Sequence, residues 1–457
     1  MHHNQDPIIA LATPLGVSAI AVVRLSGKGI IHILNQVFHG SNLTKKASHT
    51  IHFGLIKNGN NIIDEVLVAL FIAPHSFTKE DSVEISCHGS PFIVNQLIQL
   101  FVEKGVRMAE PGEFTKRAFL NGRFDLAQAE AVADLISSDS ALAHQTALCQ
   151  MRGGFSSDLK ALRSGLIHFA AMLELELDFS EEDVEFLDRT HLQALADKII
   201  AAITLLMDSF RLGNVIKHGI SVVIVGKPNV GKSTLLNNLL REERAIVSPI
   251  AGTTRDAIEG QLHLGGMLFR FIDTAGLRET ASDEIEAIGM DRTKQQLSKA
   301  SIVFYLVDIS NTTLTKAEEE LVGLGLEDLP LVKVANKVDV VSSHINTLEG
   351  FIKKDYLFVS ARENSGIDQL KDKLLQVIAR EQIDATGTIV VNARHYDRLQ
   401  KSKQALEAVN VGLKTKLSSE LLASDIRTAL RYLGEITGDI TTEELLGEIF
   451  SKFCIGK

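Results

Sequence analysis

The chain has 457 residues, a hydrophobic content of 45% and a charged content of 23%, which is the composition of a globular protein with more than one core. Its formal net charge of −10 gives no sign of nucleic-acid binding by bulk electrostatics. No apolar run reaches the roughly 18 residues of a membrane span, and Cys87, Cys149 and Cys454 form neither a disulfide framework nor a metal-ligand spacing, so we expect a cytoplasmic protein without stable membrane association.

The first region, residues 7–118, has the pattern of an α+β domain. Apolar or alternating runs predict strands at 20–25, 66–72 and 82–88. In the third strand, Val83, Ile85 and Cys87 share one face, which we expect to be buried. Helical spacing predicts helices at 30–38 and 93–102.

Helical spacing replaces this pattern from residue 123 to about residue 213. In the first helix, apolar residues fall on one face and acidic residues on the other. The face expected to be buried carries Leu126, Ala129, Ala133 and Ile136, and the face expected to be exposed carries Glu130 and Asp134. Asp125 is placed to cap this helix, and two longer helices follow at 159–177 and 194–210.

From about residue 220 to residue 380, short apolar runs alternate with helical segments. The predicted strands are 221–225, 268–272, 302–307, 331–334 and 357–359. This alternation predicts an α/β domain with a mainly parallel sheet. Ligands of such sheets bind at the C-terminal ends of the strands.

Helical spacing returns from residue 395 to residue 457. The predicted buried face carries Leu421, Ile426, Leu430 and Leu433. Either Thr441 or Thr442 is expected to cap a last helix at 441–453. The helical segments on both sides of the α/β domain can form one domain into which that domain is inserted, a pairing that the spacing alone leaves open.

The segment from Gly226 to Ser233, Gly-Lys-Pro-Asn-Val-Gly-Lys-Ser, has the pattern of a phosphate-binding P-loop between a strand and a helix. Its glycines let successive backbone amides point at phosphate oxygens. We assign Lys232 to the β- and γ-phosphates and the Ser233 hydroxyl to Mg²⁺. The pattern alone does not distinguish ATP from GTP.

Four further motifs occur in the order that a GTPase requires. They are residues 252–256, Asp273-Thr274-Ala275-Gly276, Asn336-Lys337-Val338-Asp339 and Ser360-Ala361-Arg362. Thr254 supplies a second Mg²⁺ contact, and Asp273 supplies a carboxylate to the Mg²⁺ shell. The Asp339 carboxylate accepts hydrogen bonds from the guanine N1 and N2 donors, which adenine lacks, and the Ala361 backbone is placed to meet guanine O6.

We therefore predict that the chain binds GTP and GDP. The predicted contacts are Asn229, Val230, Gly231, Lys232, Ser233, Thr234, Thr253, Thr254, Asp273, Thr274, Ala275, Gly276, Asn336, Lys337, Asp339, Ser360, Ala361 and Arg362.

The residue after Asp-Thr-Ala-Gly is Leu277, where many GTPases carry a glutamine that orients the attacking water. A leucine side chain has no hydrogen-bonding group, so either hydrolysis is slow or another group positions the water. One of the nearby carboxylates can act on water when the segment orders. These carboxylates are Glu279, Asp283, Glu284 and Glu286.

Segments outside the general GTPase motifs resemble one family. They are Pro111-Gly112-Glu113-Phe114, Arg117-Ala118-Phe119-Leu120-Asn121, residues 125–130, the asparagine of the P-loop and the ending Phe453-Cys454-Ile455-Gly456-Lys457. Through them, and along essentially its whole length, the chain resembles the MnmE (TrmE) family of tRNA-modifying GTPases.

The resemblance implies three domains and a reaction. The domains are an N-terminal α+β folate-binding and dimerisation domain at 1–120, a discontinuous helical domain at 121–215 and 381–457, and an inserted P-loop GTPase domain at 216–380. The implied homodimer works with the flavoprotein MnmG in a heterotetramer. Together they add an aminomethyl or carboxymethylaminomethyl group to C5 of the wobble uridine (position 34) of certain tRNAs, using a one-carbon unit from 5-formyltetrahydrofolate or a related tetrahydrofolate.

The resemblance also implies a K⁺ ion beside the phosphates, in the place of an arginine finger, so that K⁺ stimulates GTP hydrolysis. The K⁺ ligands of the family correspond to Asn229, Ser248, Ile250 and Thr253, and Ser248 also joins the GTP contacts. The catalytic glutamate of the family corresponds to Glu286, with Glu284 as the alternative. Glu286, Asn229 and Lys232 form the implied catalytic set.

The folate-binding positions of the family correspond to Arg24, Glu84, Arg123 and Lys457. From the residues alone, Arg24 is an outward-facing strand residue and Glu84 belongs to the polar face of an amphipathic strand. The family places Cys454 near the folate, and packing is the alternative role for that thiol. We expect Cys87 and Cys149 to be core residues.

A second reading of the motifs is a GTP-dependent binding switch, for instance in ribosome assembly, without modification chemistry. Such a switch would carry the same nucleotide motifs. It would not need the N-terminal domain or the Cys-Ile-Gly-Lys ending.

Overall fold

The computed structural model describes residues 6–178, 189–241, 258–272, 297, 300–326, 329–340, 345–381, 388–415 and 417–456. These residues form two compact units. The first comprises the described residues of Met1–Ile136, Ala147–Ile203 and Asp397–Lys457, and the second comprises those of Ser137–Thr146 and Thr204–Tyr396. The domain boundaries at 120, 215 and 380 stay a prediction.

A seven-stranded, mostly antiparallel sheet forms the centre of the first unit. Its strands are β1 (Ile8–Leu11), β2 (Ser18–Ser26), β3 (Phe38–Gly40), β4 (Thr50–Asn58), β5 (Asn61–Phe71), β6 (Ser82–Gly89) and β7 (Arg107–Met108). They lie in the order β3-β4-β5-β6-β2-β1-β7, with β1 and β7 parallel.

Two helices, α1 (Ile30–Val37) and α2 (Pro91–Glu103), share a hydrophobic core with this sheet. Val83, Ile85 and Cys87 of β6 are buried in that core, as the alternation predicts. Arg24 and Glu84 pair across β2 and β6, and because side chains alternate along a strand they point to the other face. The α+β prediction is confirmed.

The remaining helices follow in chain order. They are α3 (Glu113–Leu120), α4 (Leu126–Ser137), α5 (Ala141–Met151), α6 (Gly154–Asp178), α7 (Arg189–His218), α8 (Lys232–Arg241), α9 (Leu314–Gly323), α10 (Ile345–Lys353), α11 (Ile367–Glu381), α12 (Ala393–Lys414), α13 (Ser419–Thr437) and α14 (Glu443–Phe450).

Side-chain caps begin two of these helices as the sequence predicts. Asp125 Oδ1 accepts a hydrogen bond from the Gln128 amide at 2.9 Å, and Gln128 Oε1 accepts one from the Asp125 amide at 3.0 Å. This reciprocal pair is a capping box at the start of α4. At α14, Thr442 Oγ1 accepts from the Leu445 amide at 3.2 Å, so Thr442 rather than Thr441 is the cap.

The predicted faces of α4 are wrong at two positions. Glu130 is buried, whereas Ile136 is 46% exposed. The first turns of α4 are buried on more than one side, since Ala127 and Ala131 are buried as well as Ala129. The prediction of a single buried face is therefore wrong for the first turns of α4, and the last turn of the helix lies outside the core.

The predicted buried face of α13 is displaced by one residue at its start. Leu421 is 55% exposed, and the stripe runs instead through Leu422, Ile426 and Ala429. The buried position between Ile426 and Leu433 is occupied by the small residue Ala429 and not by the predicted Leu430. Cys149 of α5 is exposed, so the expectation that it is a core residue is wrong.

The second unit is built on a mainly parallel sheet, as predicted. Its strands are β8 (Ile220–Val225), β9 (Ile258–Leu264), β10 (Met267–Ile272), β11 (Ile302–Asp308), β12 (Leu331–Asn336) and β13 (Tyr356–Val359). They lie in the order β13-β12-β11-β8-β10-β9, and all neighbouring pairs are parallel except the antiparallel β9–β10 pair.

Strand β9 was not predicted from the sequence. It joins β10 through a two-residue turn, Gly265-Gly266, in which both glycines have positive φ (59° and 78°). A tight hairpin turn of this kind needs that backbone conformation, which glycine adopts without steric cost. The Gly-Gly pair between two apolar runs was the signal for this hairpin.

Among the described helices, α7 is long and apolar enough for a membrane span, with a mean hydropathy of 1.6 over its most apolar window. This is weak grounds for a span, because core helices of soluble proteins have the same property. Leu192, Ala196 and Ile203 of α7 are buried.

A buried ion network in the first unit links α3 to the segment before β6. Glu113 Oε1 accepts hydrogen bonds from Arg117 Nη2 at 2.8 Å and from Arg107 Nη2 at 2.6 Å. Arg117, 1% exposed, also donates to Glu80 Oε2 at 3.1 Å. Burial raises the pKa of Glu113, but the bonds from Arg107, the Glu110 amide and Arg117 outweigh it, so that the pKa is lowered.

Replacement of Arg117 by alanine should destabilise the first unit by about 1–3 kcal/mol, because Glu113 and Glu80 each lose a hydrogen-bonded partner while Glu113 keeps its bonds from Arg107. Hydrogen-exchange protection of β2 and β6 measures this loss. Because the folded pKa of Glu113 is depressed, the stabilisation is present above its unfolded pKa and is lost as the pH falls through its folded pKa. Lys452→Ala, which removes an exposed pair with Glu448, is the control and should change protection little. Equal protection in both variants would contradict this account.

Candidate functional site

The P-loop connects the end of β8 to the start of α8. Asn229 and Gly231 have positive φ (63° and 101°), which turns successive amides toward one side of the loop. A Cβ at Gly231 would collide with the Asn336 side chain, so this position requires glycine. Ser233 and Thr234 are exposed in the first turn of α8, where the unpaired amides and the helix dipole favour a bound anion.

The Lys232 ammonium is held within the loop. Its Nζ donates to the carbonyl oxygens of Gly226 at 2.5 Å and of Lys227 at 3.1 Å. A cation is thereby kept at the mouth of the loop, beside the residues predicted to contact phosphate.

Asn336, at the end of β12, joins the P-loop to the loop after β13. Its side chain is buried, with 1% of the residue exposed. Nδ2 donates to the Val230 carbonyl at 2.7 Å, and Oδ1 accepts from the Ala361 amide at 3.0 Å. One carboxamide thus connects the predicted phosphate contacts with the predicted guanine contacts.

The Asp339 carboxylate is oriented by a neighbouring hydroxyl. Ser360 Oγ donates to Asp339 Oδ1 at 2.6 Å and accepts from the Glu363 amide at 3.2 Å. Ser360 and Ala361 are buried and Arg362 is exposed. The structure therefore brings together the predicted base-contact residues of two motifs that are separated in the sequence.

Asp308, at the end of β11, belongs to this site and was missed by the sequence analysis. Lys337, whose φ is 68°, donates from Nζ to Asp308 Oδ2 at 2.6 Å. Burial raises the pKa of Asp308, but the bonds from Lys337 and Ser310 outweigh it, so the pKa lies below its ordinary value. A carboxylate directly after an apolar strand was the signal.

Several predicted residues lie outside the described part of the chain, and their roles stay predictions. They are Ser248, Ile250, Thr253, Thr254, Asp273, Thr274, Ala275, Gly276, Leu277, Glu284, Glu286 and Lys457.

A second candidate site is a cleft of about 570 Å³ in the first unit, lined by Arg24, Glu84 and Arg123 among others. Arg24 donates from Nε and Nη2 to Glu84 Oε1 at 3.0 and 2.8 Å, and from Nη1 to the Gly456 carbonyl at 3.2 Å. Three of the four predicted folate residues therefore line one cavity, and the residue before the fourth contacts Arg24.

Aromatic rings that the sequence analysis missed also line this cleft. The Phe77 ring lies 5.8 Å from the Arg24 guanidinium carbon and 5.2 Å from that of Arg123. Phe114 lies 5.7 Å from Arg24. These distances allow cation–π attraction. Cys454 is exposed, and its carbonyl accepts from the Gly112 amide at 3.3 Å.

The P-loop, the mainly parallel sheet and the joined base-contact motifs define a GTP-binding P-loop domain. Two protein-family models match the chain: the MnmE helical domain over residues 126–454, and the GTP-binding protein TrmE N-terminus over residues 7–123. The chain belongs to the MnmE (TrmE) family.

Two curated relatives named tRNA modification GTPase MnmE match the whole chain. The one from Cytophaga hutchinsonii is 54% identical over 100% of this chain and 98% of its own length. The one from Flavobacterium psychrophilum is 51% identical over 99% of each chain. A crystal structure of Era in complex with MgGDPNP and 16S ribosomal RNA nucleotides is 28% identical over 40% of this chain and 66% of that chain, with a TM-score of 0.28.

Substitution of Asn336 by alanine should raise the Kd for GDP by about tenfold to a hundredfold, because the Val230 carbonyl and the Ala361 amide lose their buried partner. Titration with a fluorescent GDP analogue measures the effect. Asn336→Asp keeps the acceptor for Ala361 but removes the donor to Val230, and it should also weaken binding. Asn58→Ala, at an exposed position of β4, is the matched control. Unchanged affinity in both Asn336 variants would show that the bridge does not support nucleotide binding.

Proposed function

We propose that the protein is a GTPase that acts in tRNA modification. It would work with MnmG to add an aminomethyl or carboxymethylaminomethyl group to C5 of the wobble uridine of certain tRNAs. The observation that carries this proposal is 54% identity along the whole chain to a relative named tRNA modification GTPase. The cleft of the first unit adds support, since a simple GTP-dependent binding switch would not need it.

The P-loop geometry fits hydrolysis that depends on a monovalent cation. Asn229 is exposed and its backbone is in the left-handed region, so an amide oxygen is available at the surface of the loop. With Ser248, Ile250 and Thr253 it would hold K⁺, which offsets the charge that develops on the phosphates. Lys232 would bind the β- and γ-phosphates, and Glu286 would act on the attacking water.

The Mg²⁺ site would use hydroxyl groups, which suit a hard cation. Ser233 is exposed at the start of α8, where a hydroxyl can reach an ion bound to phosphate oxygens. Thr254 would supply the second contact.

The cleft of the first unit fits a reduced folate such as 5-formyltetrahydrofolate. Both Arg24 bonds to Glu84 go to Oε1, and Oε2 accepts no hydrogen bond from the described residues. This oxygen can accept from the N–H groups of a pterin ring, and Phe77 can pack against an aromatic group. Arg24, Glu84, Arg123 and Lys457 would form the folate site.

The outer face of the first-unit sheet supports a homodimer, because it exposes large apolar residues. Ile51, Phe53 and Leu67 are 67%, 65% and 48% exposed, and such patches often mark protein interfaces. We place the dimer in the cytoplasm, in a heterotetramer with MnmG and without membrane association.

We further propose that the helical segments around the GTPase domain form one domain. Arg163 of α6 pairs with Asp439, which follows α13, and Arg427 of α13 lies 3.4 Å from Glu174 of α6. Val390, after the GTPase domain, donates from its amide to Ser209 Oγ of α7 at 3.0 Å. The chain before the proposed insertion and the chain after it are therefore in contact at Ser209 and Val390, which supports an insertion.

Deletion of the gene should remove the modified wobble uridines from tRNA, as measured by nucleoside analysis with mass spectrometry. The wild-type gene should restore them, whereas Lys232→Ala should not, because that variant lacks the phosphate-binding ammonium. Unchanged wobble uridines in the deletion strain would favour the binding switch instead.

GTP turnover should be about tenfold or more faster in K⁺ than in Na⁺ at equal ionic strength, since one bound cation at the phosphates removes at least ~1.4 kcal/mol from the barrier. Asn229→Ala should abolish this difference. Equal wild-type rates in the two salts would contradict the K⁺ site.

Arg24→Ala should weaken binding of 5-formyltetrahydrofolate by about tenfold or more in calorimetry, because Glu84 loses its partner in the cleft. GTP hydrolysis should remain largely intact. Arg152→Ala, at an exposed position of the same unit, is the control. Unaltered folate affinity in Arg24→Ala would show that Arg24 does not contribute to folate binding.

A further inference from the structure

The folate cleft carries an excess of positive charge at one end. Its lining includes Lys79 and Arg123, and its one carboxylate, Glu84, is paired with Arg24. Within the described part of the chain, neither Lys79 nor Arg123 forms an ion pair. Lys79 Nζ donates to the Gly122 carbonyl at 2.8 Å, and Arg123 donates to the Ser76 carbonyl. Carbonyl groups orient these two cations without neutralising them.

Lys79 is held in an unusual backbone conformation. Its φ is 58°, in the left-handed region that costs a non-glycine residue free energy and often marks a functional position. The neighbouring acid does not offset its charge, because the Glu80 carboxylate bonds to Arg117 and Ser26. The bond to Gly122, which directly precedes Arg123, places the Lys79 ammonium beside the start of Arg123.

The cleft therefore has three chemically different parts. Glu84 with Arg24 forms a polar end that can accept hydrogen bonds, and the Phe77 ring lies within 5.8 Å of Arg24 and 5.2 Å of Arg123. Lys79 and Arg123 form a cationic end. A ligand that matches this order has a hydrogen-bond donor edge, an aromatic group and a carboxylate group.

We propose that Lys79 is a specificity residue of the folate site, which with Arg123 binds the carboxylates of the folate glutamate tail. This inference rests on the folate site proposed above. Charge-assisted bonds to carboxylates are stronger than neutral ones, so the cationic end would select folates with a glutamate tail over pterins without one.

Calorimetry and competition binding on the full chain test this assignment with two probes. One is 5-formyltetrahydrofolate, and the other is 6-methyltetrahydropterin, which has the reduced ring but no tail. Lys79→Gln should weaken folate binding about tenfold and leave the pterin affinity within about twofold. Lys79→Arg should retain folate binding. Lys104→Gln, at an exposed position at the end of α2, is the matched control and should behave as wild type.

The salt dependence gives an independent readout. Added salt should weaken folate binding to the wild-type chain more than to Lys79→Gln, since the variant lacks one screened charge. Wild-type folate affinity in Lys79→Gln, equal weakening of both probes, or an unchanged salt dependence would overturn the assignment. Absence of folate binding by the wild-type chain would instead overturn the folate site itself, and the tail assignment with it.

Discussion

The nucleotide site depends on the two hydrogen bonds of one buried carboxamide. Asn336 satisfies the Val230 carbonyl and the Ala361 amide, which lie on two other loops of the same sheet edge. A buried polar group without a partner is costly, so these loops are favoured only at the spacing that lets both bonds form. The spacing between the predicted phosphate contacts and the predicted guanine contacts is thereby set by the side chain of Asn336.

In the first unit, buried ion pairs join separate segments of the chain, as the Asn336 carboxamide joins two loops in the second unit. Glu113 accepts hydrogen bonds from Arg107 and Arg117. Arg117 also donates to Glu80, which directly follows the cleft residue Lys79. Glu113 and Arg117 lie in segments that distinguish this family from other GTPases. The bonds of Arg117 therefore join Glu113, in one such segment, to Glu80 next to the cleft lining.

The sequence predicted many of the elements, because period and polarity depend on local burial, but it did not predict strands β1, β3, β4, β7 and β9. Strands β2, β6, β8 and β10–β13 all followed from apolar or alternating runs, and Asp125 and Thr442 followed from cap chemistry. Errors arose where packing between elements decides the outcome, as at Glu130, Leu421 and Cys149. Asp308, Phe77 and Lys79 were missed for a related reason: the site to which each belongs is formed with residues that are distant in the chain. Arg24, Glu84 and Arg123 came from the family resemblance, since spacing alone gave them no shared role.

The bond between Arg24 and the Gly456 carbonyl joins residues 432 positions apart. Ordering so long a loop has a large entropic cost, and that cost must be met by other contacts first. During translation, the residues that line the cleft, from Arg24 to Arg123, emerge early, but Arg24 lacks its partner, the Gly456 carbonyl, until residue 456 has been added. The whole GTP-binding domain is synthesised in that interval. A nascent chain therefore cannot form the bond that fixes Arg24 to the C-terminal segment before the GTPase domain has been made.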